Sequence, residues 1–141
     1  FLAALCYEFS GSIIPEAILM EEDVTTHLRV DGVQFKRKDI DDTNPAHYGG
    51  YFLEYNGEEV ATGGFLTNYN KPYADIYMDV KEGFRCRGYG SFIVQELKKE
   101  VYNIGKVPAA RTNVNNIASK ATLLKAGFKV CGARLKGKIR R

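Results

Sequence analysis

The hydrophobic and polar positions change period along the chain. Phe1 to Phe9 is mostly apolar and reads as a short helix, broken by Ser10, Gly11 and Pro15. Apolar and polar residues then alternate through His27-Leu28-Arg29-Val30 and again through Val33-Gln34-Phe35-Lys36, either side of Asp31-Gly32. A period of two marks a half-buried strand, and Asp-Gly accepts the positive φ angles of a tight type I′ turn, so the pattern predicts a hairpin. The polar stretch Lys38 to Asn44, closed by Pro45, reads as loop. A second hairpin is predicted from Tyr51–Tyr55 and Val60–Thr67 around Asn56-Gly57. After a loop through Asn68 to Pro72, Tyr73 to Val80 reads as a strand. Ile76, Met78 and Val80 share one of its faces; Asp75, Tyr77 and Asp79 share the other.

Beyond this strand the period lengthens. Tyr89, Ile93, Leu97 and Val101, with Val94 beside them, form one apolar stripe on a helix from Gly88 to Tyr102, with Lys98 and Lys99 off the stripe and Gly105 after its end. Val107 to Val114 reads as a strand. A second helix is expected from Asn116 to Ala126, with Asn115 or Asn116 as its N-cap, Gly127 in the left-handed closing position and Phe128 packing back. A final strand passes through Val130 and Cys131. This succession predicts an α/β (α+β) domain with a mostly antiparallel front half.

With 141 residues, 45% hydrophobic and 26% charged, the chain is sized for one domain with one core. No apolar run is long enough to cross a bilayer. Phe1 to Cys6 is too short and lacks the basic leader of a signal sequence. The missing initiator Met points to a processed product or a domain cut from a longer chain. A net charge of +3 is too small to demand nucleic acid but suits an anionic ligand. Part of that charge lies in Arg134, Lys136, Lys138, Arg140 and Arg141, read either as a solvated, frayed end or as a phosphate or RNA contact. Cys6, Cys86 and Cys131 are odd in number and widely spaced. His27 and His47 lie far from them in sequence, so neither a disulfide framework nor a zinc site is expected, and a reducing, cytoplasmic compartment fits. Cys86 precedes a helix start but has no base nearby in sequence to make it a nucleophile.

The segment most informative about chemistry is Arg85-Cys86-Arg87-Gly88-Tyr89-Gly90-Ser91, between a strand and a helix. The first amides of a helix lack intrahelical partners and carry the positive end of its dipole, so an anion can sit there. Gly88 and Gly90 lack a Cβ and let it approach, in a first turn expected to be exposed, and Arg85 and Arg87 add charge. A dinucleotide fingerprint fails because Ile93 stands where the third glycine belongs. A Walker loop fails because Tyr89 follows Gly88. A plain glycine-rich turn remains the alternative.

Arg85-x-x-Gly88-x-Gly90 resembles the R/Q-x-x-G-x-G/A signature of the GNAT superfamily of acetyl-CoA-dependent N-acetyltransferases. Asn116-x-x-Ser119 followed by Leu123-Leu124-Lys125-Ala126-Gly127-Phe128 is similar to its N-x-x-S…L-x-K-x-G-F block. The resemblance covers Tyr51 to Cys131. It implies a mixed sheet with two helices in the cofactor-binding half. Residues 51–131 would be the cofactor-binding core, and residues 1–48 an atypical front part without the two helices usual in the family, all within one acetyltransferase-like domain over 1–141. It implies that backbone groups of Met78 and Val80 pair with the pantetheine arm and acetyl carbonyl. The diphosphate would lie on the amides of Cys86 to Ser91, and Asn116 would bond the cofactor near the thiol. No metal is implied.

Amine acetylation needs a base, a stabilised oxyanion and an acid for the thiolate. The Met78 amide is the expected oxyanion donor. Leu123 stands where many members carry a Tyr acid, so Ser119 is the candidate acid, unless the thiolate leaves unprotonated. Arg111 and Ala74 occupy the positions where members carry a Glu base, so Asp75 becomes the candidate base, with Asp79 and Tyr77 behind it. The expected activity is acetyl transfer from acetyl-CoA to a primary amine. The alternative is a domain that binds coenzyme A with little catalysis, serving a neighbouring domain. A homodimer is also open.

Overall fold

The computed structural model describes residues 12–40, 43–68 and 71–138. The expected helix over Phe1 to Phe9 lies outside them. The elements are β1 (Ser12–Glu22), β2 (Val33–Arg37), β3 (His47–Tyr55), β4 (Glu58–Leu66), β5 (Tyr73–Val80), α1 (Tyr89–Asn103), β6 (Val107–Asn113), α2 (Ile117–Lys125) and β7 (Phe128–Lys138). The strands form one sheet in the order β2-β3-β4-β5-β6-β1-β7. Every neighbouring pair is antiparallel except β5 and β6.

The second hairpin, β5, both helices and the last two strands form where periodicity and turn chemistry put them. Asn56 and Gly57 take φ of 50° and 77° in the β3–β4 turn. On α1 the whole stripe of Tyr89, Ile93, Val94, Leu97 and Val101 is buried, against a sheet face that includes Phe65, Ile76 and Ala110. Gly63 admits this helix: a Cβ there would lie 2.8 Å from Leu97 Cδ1. Truncating Leu97 to Ala in so dense a seam costs about 2–5 kcal/mol. Asn116 caps α2, accepting the Ser119 amide at 3.0 Å.

Four expectations are corrected. First, β2 does not pair with His27–Val30. The turn at Asp31-Gly32 exists, with Gly32 at φ 72°, but β2 pairs with β3, Phe35 opposite Leu53. Residues 27–30 are extended alongside α1, where the Gln95 side chain takes up both backbone groups of Leu28.

Second, the sheet contains β1, which alternation does not announce. Ala17 to Met20 is a continuous apolar run, as suits a strand with neighbours on both sides. Pro15 is accommodated where β1 shifts register against β7, between Pro15 and Ala17.

Third, Arg134, Lys136 and Lys138 are not a frayed end. They lie on β7, laddered to β1, and Arg134 Nε is 2.9 Å from Glu16 Oε2. Arg140 and Arg141 are outside the described residues.

Fourth, Lys98 is buried, 3% exposed. Its ammonium meets Glu22 at 2.7 Å, donates to the carbonyls of Val24 and Ala126, and lies over the Phe128 ring. The end of β1 and the α2–β7 turn close over this part of α1, so a charge that the helix alone would expose becomes interior.

Candidate active site

The site grows out of one defect in the sheet. β5 and β6 run parallel from Tyr73 opposite Val107 to Ile76 opposite Ala110, and there the pairing stops. β5 continues for four residues and β6 for three. Two hydrogen bonds fix which way the β5 backbone points. Lys81 N–H donates to Val60 O on the β4 side, and Pro72 O accepts from Val107 N–H on the β6 side. Backbone groups alternate sides along a strand, so the N–H and C=O of Met78 and Val80 point into the opening between β5 and β6. This is the carboxyl end of a parallel pair, where both following helices begin.

The loop after β5 reaches α1 through Cys86 at φ 62° and Gly88 at φ 82°. Gly88 is the N-cap residue. It makes no side-chain cap bond, so the first amides of α1 are left for another acceptor. A left-handed residue is required here, and the space is open: a Cβ on Gly88 would come no nearer than 3.7 Å to any neighbour, that being Lys125 Nζ. Lys125, in the last turn of α2, therefore adds an ammonium beside the loop. Only its place in the Leu-x-Lys-x-Gly-Phe block signals it in the sequence. The two arginines are already anchored. Arg85 Nε donates to Val80 O at 3.3 Å, and Arg87 stacks over Phe84 at 5.3 Å.

Gly90 differs from expectation, because the first turn of α1 is not exposed on that side. A Cβ there would sit 3.0 Å from Thr122 Cγ2 and 3.4 Å from Val80 Cγ2, so Gly90 brings α1 onto α2 and β5. Tyr89 and Ser91 are also buried, and Ser91 Oγ donates to Thr122 O. Any contact of these three residues with an anion runs through backbone amides.

Asp75 and Arg111 are brought together on the sheet face opposite the helices, guanidinium to carboxylate at 3.4 Å. Desolvation raises the Asp75 pKa above the ordinary carboxylate value, and Arg111 lowers it in part. Both line a cavity of about 300 Å³ at the apex of the opening, together with Glu16, Leu66, Tyr77 and Thr112. Thr112 is 6% exposed, and among the described residues its Oγ1 has no hydrogen-bond partner. A buried hydroxyl without a partner costs about 1–3 kcal/mol, and Thr112 shares the core-facing side of β6 with Pro108 and Ala110, whereas Arg111 points to the other face.

Asn116 and Ser119 stand at the start of α2. The cap commits Asn116 Oδ1, leaving Nδ2 as its group for a ligand. Leu123 is core, 4% exposed. Cys86 and Cys131 are exposed thiols, and no group of three metal-binding side chains occurs among the described residues.

A parallel pair opening at the start of a glycine-capped helix, with two sequence blocks around it, is a specific combination. Residues 17–128 match the model of the Acetyltransferase (GNAT) family. This chain belongs to that family.

Solved GNAT structures share the fold. An acetyltransferase of the family from Colwellia psychrerythraea aligns with TM-score 0.76 at 17% identity, over 99% of this chain and 61% of its own. A GCN5-related N-acetyltransferase from Sphaerobacter thermophilus aligns with TM-score 0.68 at 12% identity, over 98% and 56%. One from Kribbella flavida aligns with TM-score 0.64 at 15% identity, over 96% and 62%. The chain thus spans about three-fifths of the length of these relatives. Comparison with curated protein sequences finds no match. Unlike the usual GNAT front half, no helix stands between β2 and β3 among the described residues. None of the described helices is long and apolar enough to cross a membrane.

Proposed function

We propose that this chain transfers the acetyl group of acetyl-CoA directly to a primary amine. The observation that carries the reading is the opening beyond Ile76 and Ala110, with Met78 and Val80 backbone groups directed into it and the uncapped start of α1 at its end. An extended pantetheine arm fits as an added strand on that edge. Bonding at Val80 O requires Arg85 to release that carbonyl and turn toward the diphosphate. The amides of Cys86 to Ser91 and the ammonium of Lys125 receive the diphosphate, and Asn116 Nδ2 bonds near the thiol.

The amine enters from the opposite face, through the cavity of Asp75 and Arg111. The Met78 N–H stabilises the oxyanion that forms at the acyl carbon. Asp75, made more basic by desolvation, takes a proton from nitrogen. Ser119 supplies the thiolate's proton, unless the thiolate departs as such. The exposed thiols of Cys86 and Cys131 fit a reducing, cytoplasmic setting.

Radiolabelled acetyl transfer to spermidine, phenethylamine, glycine, a peptide N-terminus and a lysine peptide tests the reading, with calorimetric acetyl-CoA titration alongside. Transfer to any of these amines supports it. Tight cofactor binding with no transfer favours the second reading, a coenzyme A-binding domain serving a neighbouring domain or a second copy. That reading draws on Leu123, an aliphatic core residue where a Tyr acid is common in the family.

A further inference from the structure

On the open face of the sheet, His47 and Tyr77 form a pair that the proposed chemistry has not used. His47 Nε2 and Tyr77 Oη are 2.5 Å apart, and the rings are tilted with centroids 5.8 Å apart. The backbone around them is stripped of side chains. A Cβ on Gly64 would lie 2.8 Å from Tyr77 Cζ, and one on Gly49 would lie 3.0 Å from His47 Cε1 and 3.4 Å from Tyr77 Oη. Gly49 and Gly50 also lie where β3 shifts register against β4, between Tyr48 and Tyr51, and a bulge of this kind re-aims side chains. The His47 backbone is pinned by its amide to Asn44 O, and the adjoining Ala46 carbonyl accepts from the Thr67 amide. Tyr77 lines the same cavity as Asp75, on the same face of β5, and precedes Met78.

The proton count of the reaction leaves a place for this pair. An acceptor that arrives as an ammonium sheds two protons on its way to an amide: one to become a nucleophile, a second as the C–N bond forms. The departing thiolate can take one. The other must leave the site, and a single carboxylate cannot hold both.

We propose that Tyr77 and His47 carry the first proton out. Tyr77 Oη accepts a proton from the ammonium while its own phenolic proton passes to His47 Nε2. The imidazolium then discharges to water at the half-exposed rim. Asp75 is left to take the second proton. The amine attacks the acyl carbon, the C–S bond breaks, and atoms and charge balance as ammonium plus thioester giving amide, thiol and one released proton. This inference rests on the acetyl-transfer reading. Tyr77 is the catalytic residue, and His47 acts through it. The charged groups around the pair are Asp75 and Asp79 on the same face of β5, Arg111 and Glu16 across the cavity, and Arg37, whose guanidinium donates to Gly49 O.

The test uses the amine from the panel above that turns over fastest. Tyr77→Phe keeps the ring over Gly64 and removes the relay oxygen; kcat should fall at least tenfold with the acetyl-CoA Kd unchanged. His47→Gln can still accept from Tyr77 but does not titrate. It should keep KM, lower kcat, and abolish the acid limb that the relay predicts for the wild-type kcat/KM profile. The chain has two histidines, so ¹⁵N-imidazole spectra of wild type and His47→Gln assign the His47 titration. Its midpoint should coincide with that limb and move in Tyr77→Phe. Melting curves confirm that both variants are folded. If one unfolds, the other variant and the coincidence of midpoint and limb in wild type decide the proposal. Wild-type rates and pH profiles in the folded variants, or a limb that does not follow the His47 midpoint, overturn the relay alone. Wild type that binds acetyl-CoA but acetylates none of the panel overturns the acetyl-transfer reading, and the relay with it.

Discussion

The side-chain amide of Gln95 binds both backbone groups of Leu28, accepting its N–H at 2.7 Å and donating to its C=O at 3.1 Å. One residue of α1 thus does for residues 27–30 what a partner strand would have done. Leu28 and Val30 face inward while His27 and Arg29 face out, the alternation visible in the sequence, but the partner is a helix side chain.

Gln95→Leu should therefore cost about 1–3 kcal/mol, because it leaves a part-buried N–H and C=O unpaired. Urea denaturation measures the loss. Hydrogen exchange at the Leu28 amide should rise by more than that of α1 amides. Unchanged protection at Leu28 would remove this contact from the stability of the segment.

Gly88 and Gly90 should separate when each is substituted. Gly88→Ala meets open space but must hold a left-handed φ, a penalty of about 1–2 kcal/mol, and should weaken acetyl-CoA binding by reshaping the loop. Gly90→Val drives side-chain atoms into Thr122 and Val80, so overpacking should lower stability by about 1–3 kcal/mol. Melting curves with calorimetric titration distinguish the two. A Gly90→Val protein as stable as wild type would contradict the tight seam between α1, α2 and β5.

Thr112→Val replaces a buried hydroxyl that has no partner with a methyl of similar shape. Without substrate, the variant should be as stable as wild type or more so, by up to about 1–3 kcal/mol. Acetyl transfer should be unchanged, because the hydroxyl lies on the core-facing side of β6, away from Arg111 and Asp75. Lost activity in the folded variant would show that the hydroxyl touches substrate.

Asp75 carries a pKa raised by desolvation and partly offset by Arg111. A carboxyl whose folded pKa exceeds its unfolded value favours folding most when protonated. Its contribution is full below the ordinary value of 3.8 and is lost as pH rises through the folded pKa. The stability of wild type relative to Asp75→Asn should therefore decline across that window, read from melting curves at stepped pH. The same variant should reduce kcat with the acetyl-CoA Kd unchanged. A stability difference that grows with pH would reverse the sign and place the charged form as the favoured one.

Local rules were enough for much of this protein. Asn56-Gly57, the alternation of Tyr73 to Val80, the apolar stripe of α1 and the Asn116 and Gly127 signals each act within a few residues, through turn geometry, strand pleat and helix period. The loop proposed to receive the diphosphate stood out in the sequence for the same reason: its amides, glycines and arginines are contiguous from Arg85 to Ser91. What tertiary structure decided was partnership between segments far apart in the chain. It set β1 between β6 and β7, gave Leu28 to Gln95, buried Lys98 beside Glu22, and packed Gly90 against Thr122 and Val80. It also built the cavity from Glu16, Leu66, Asp75, Arg111 and Thr112, which lie on four strands. Burial, desolvation and an unpartnered hydroxyl depend on which surfaces meet, and that depends on the packing of the whole sheet rather than on any stretch of sequence.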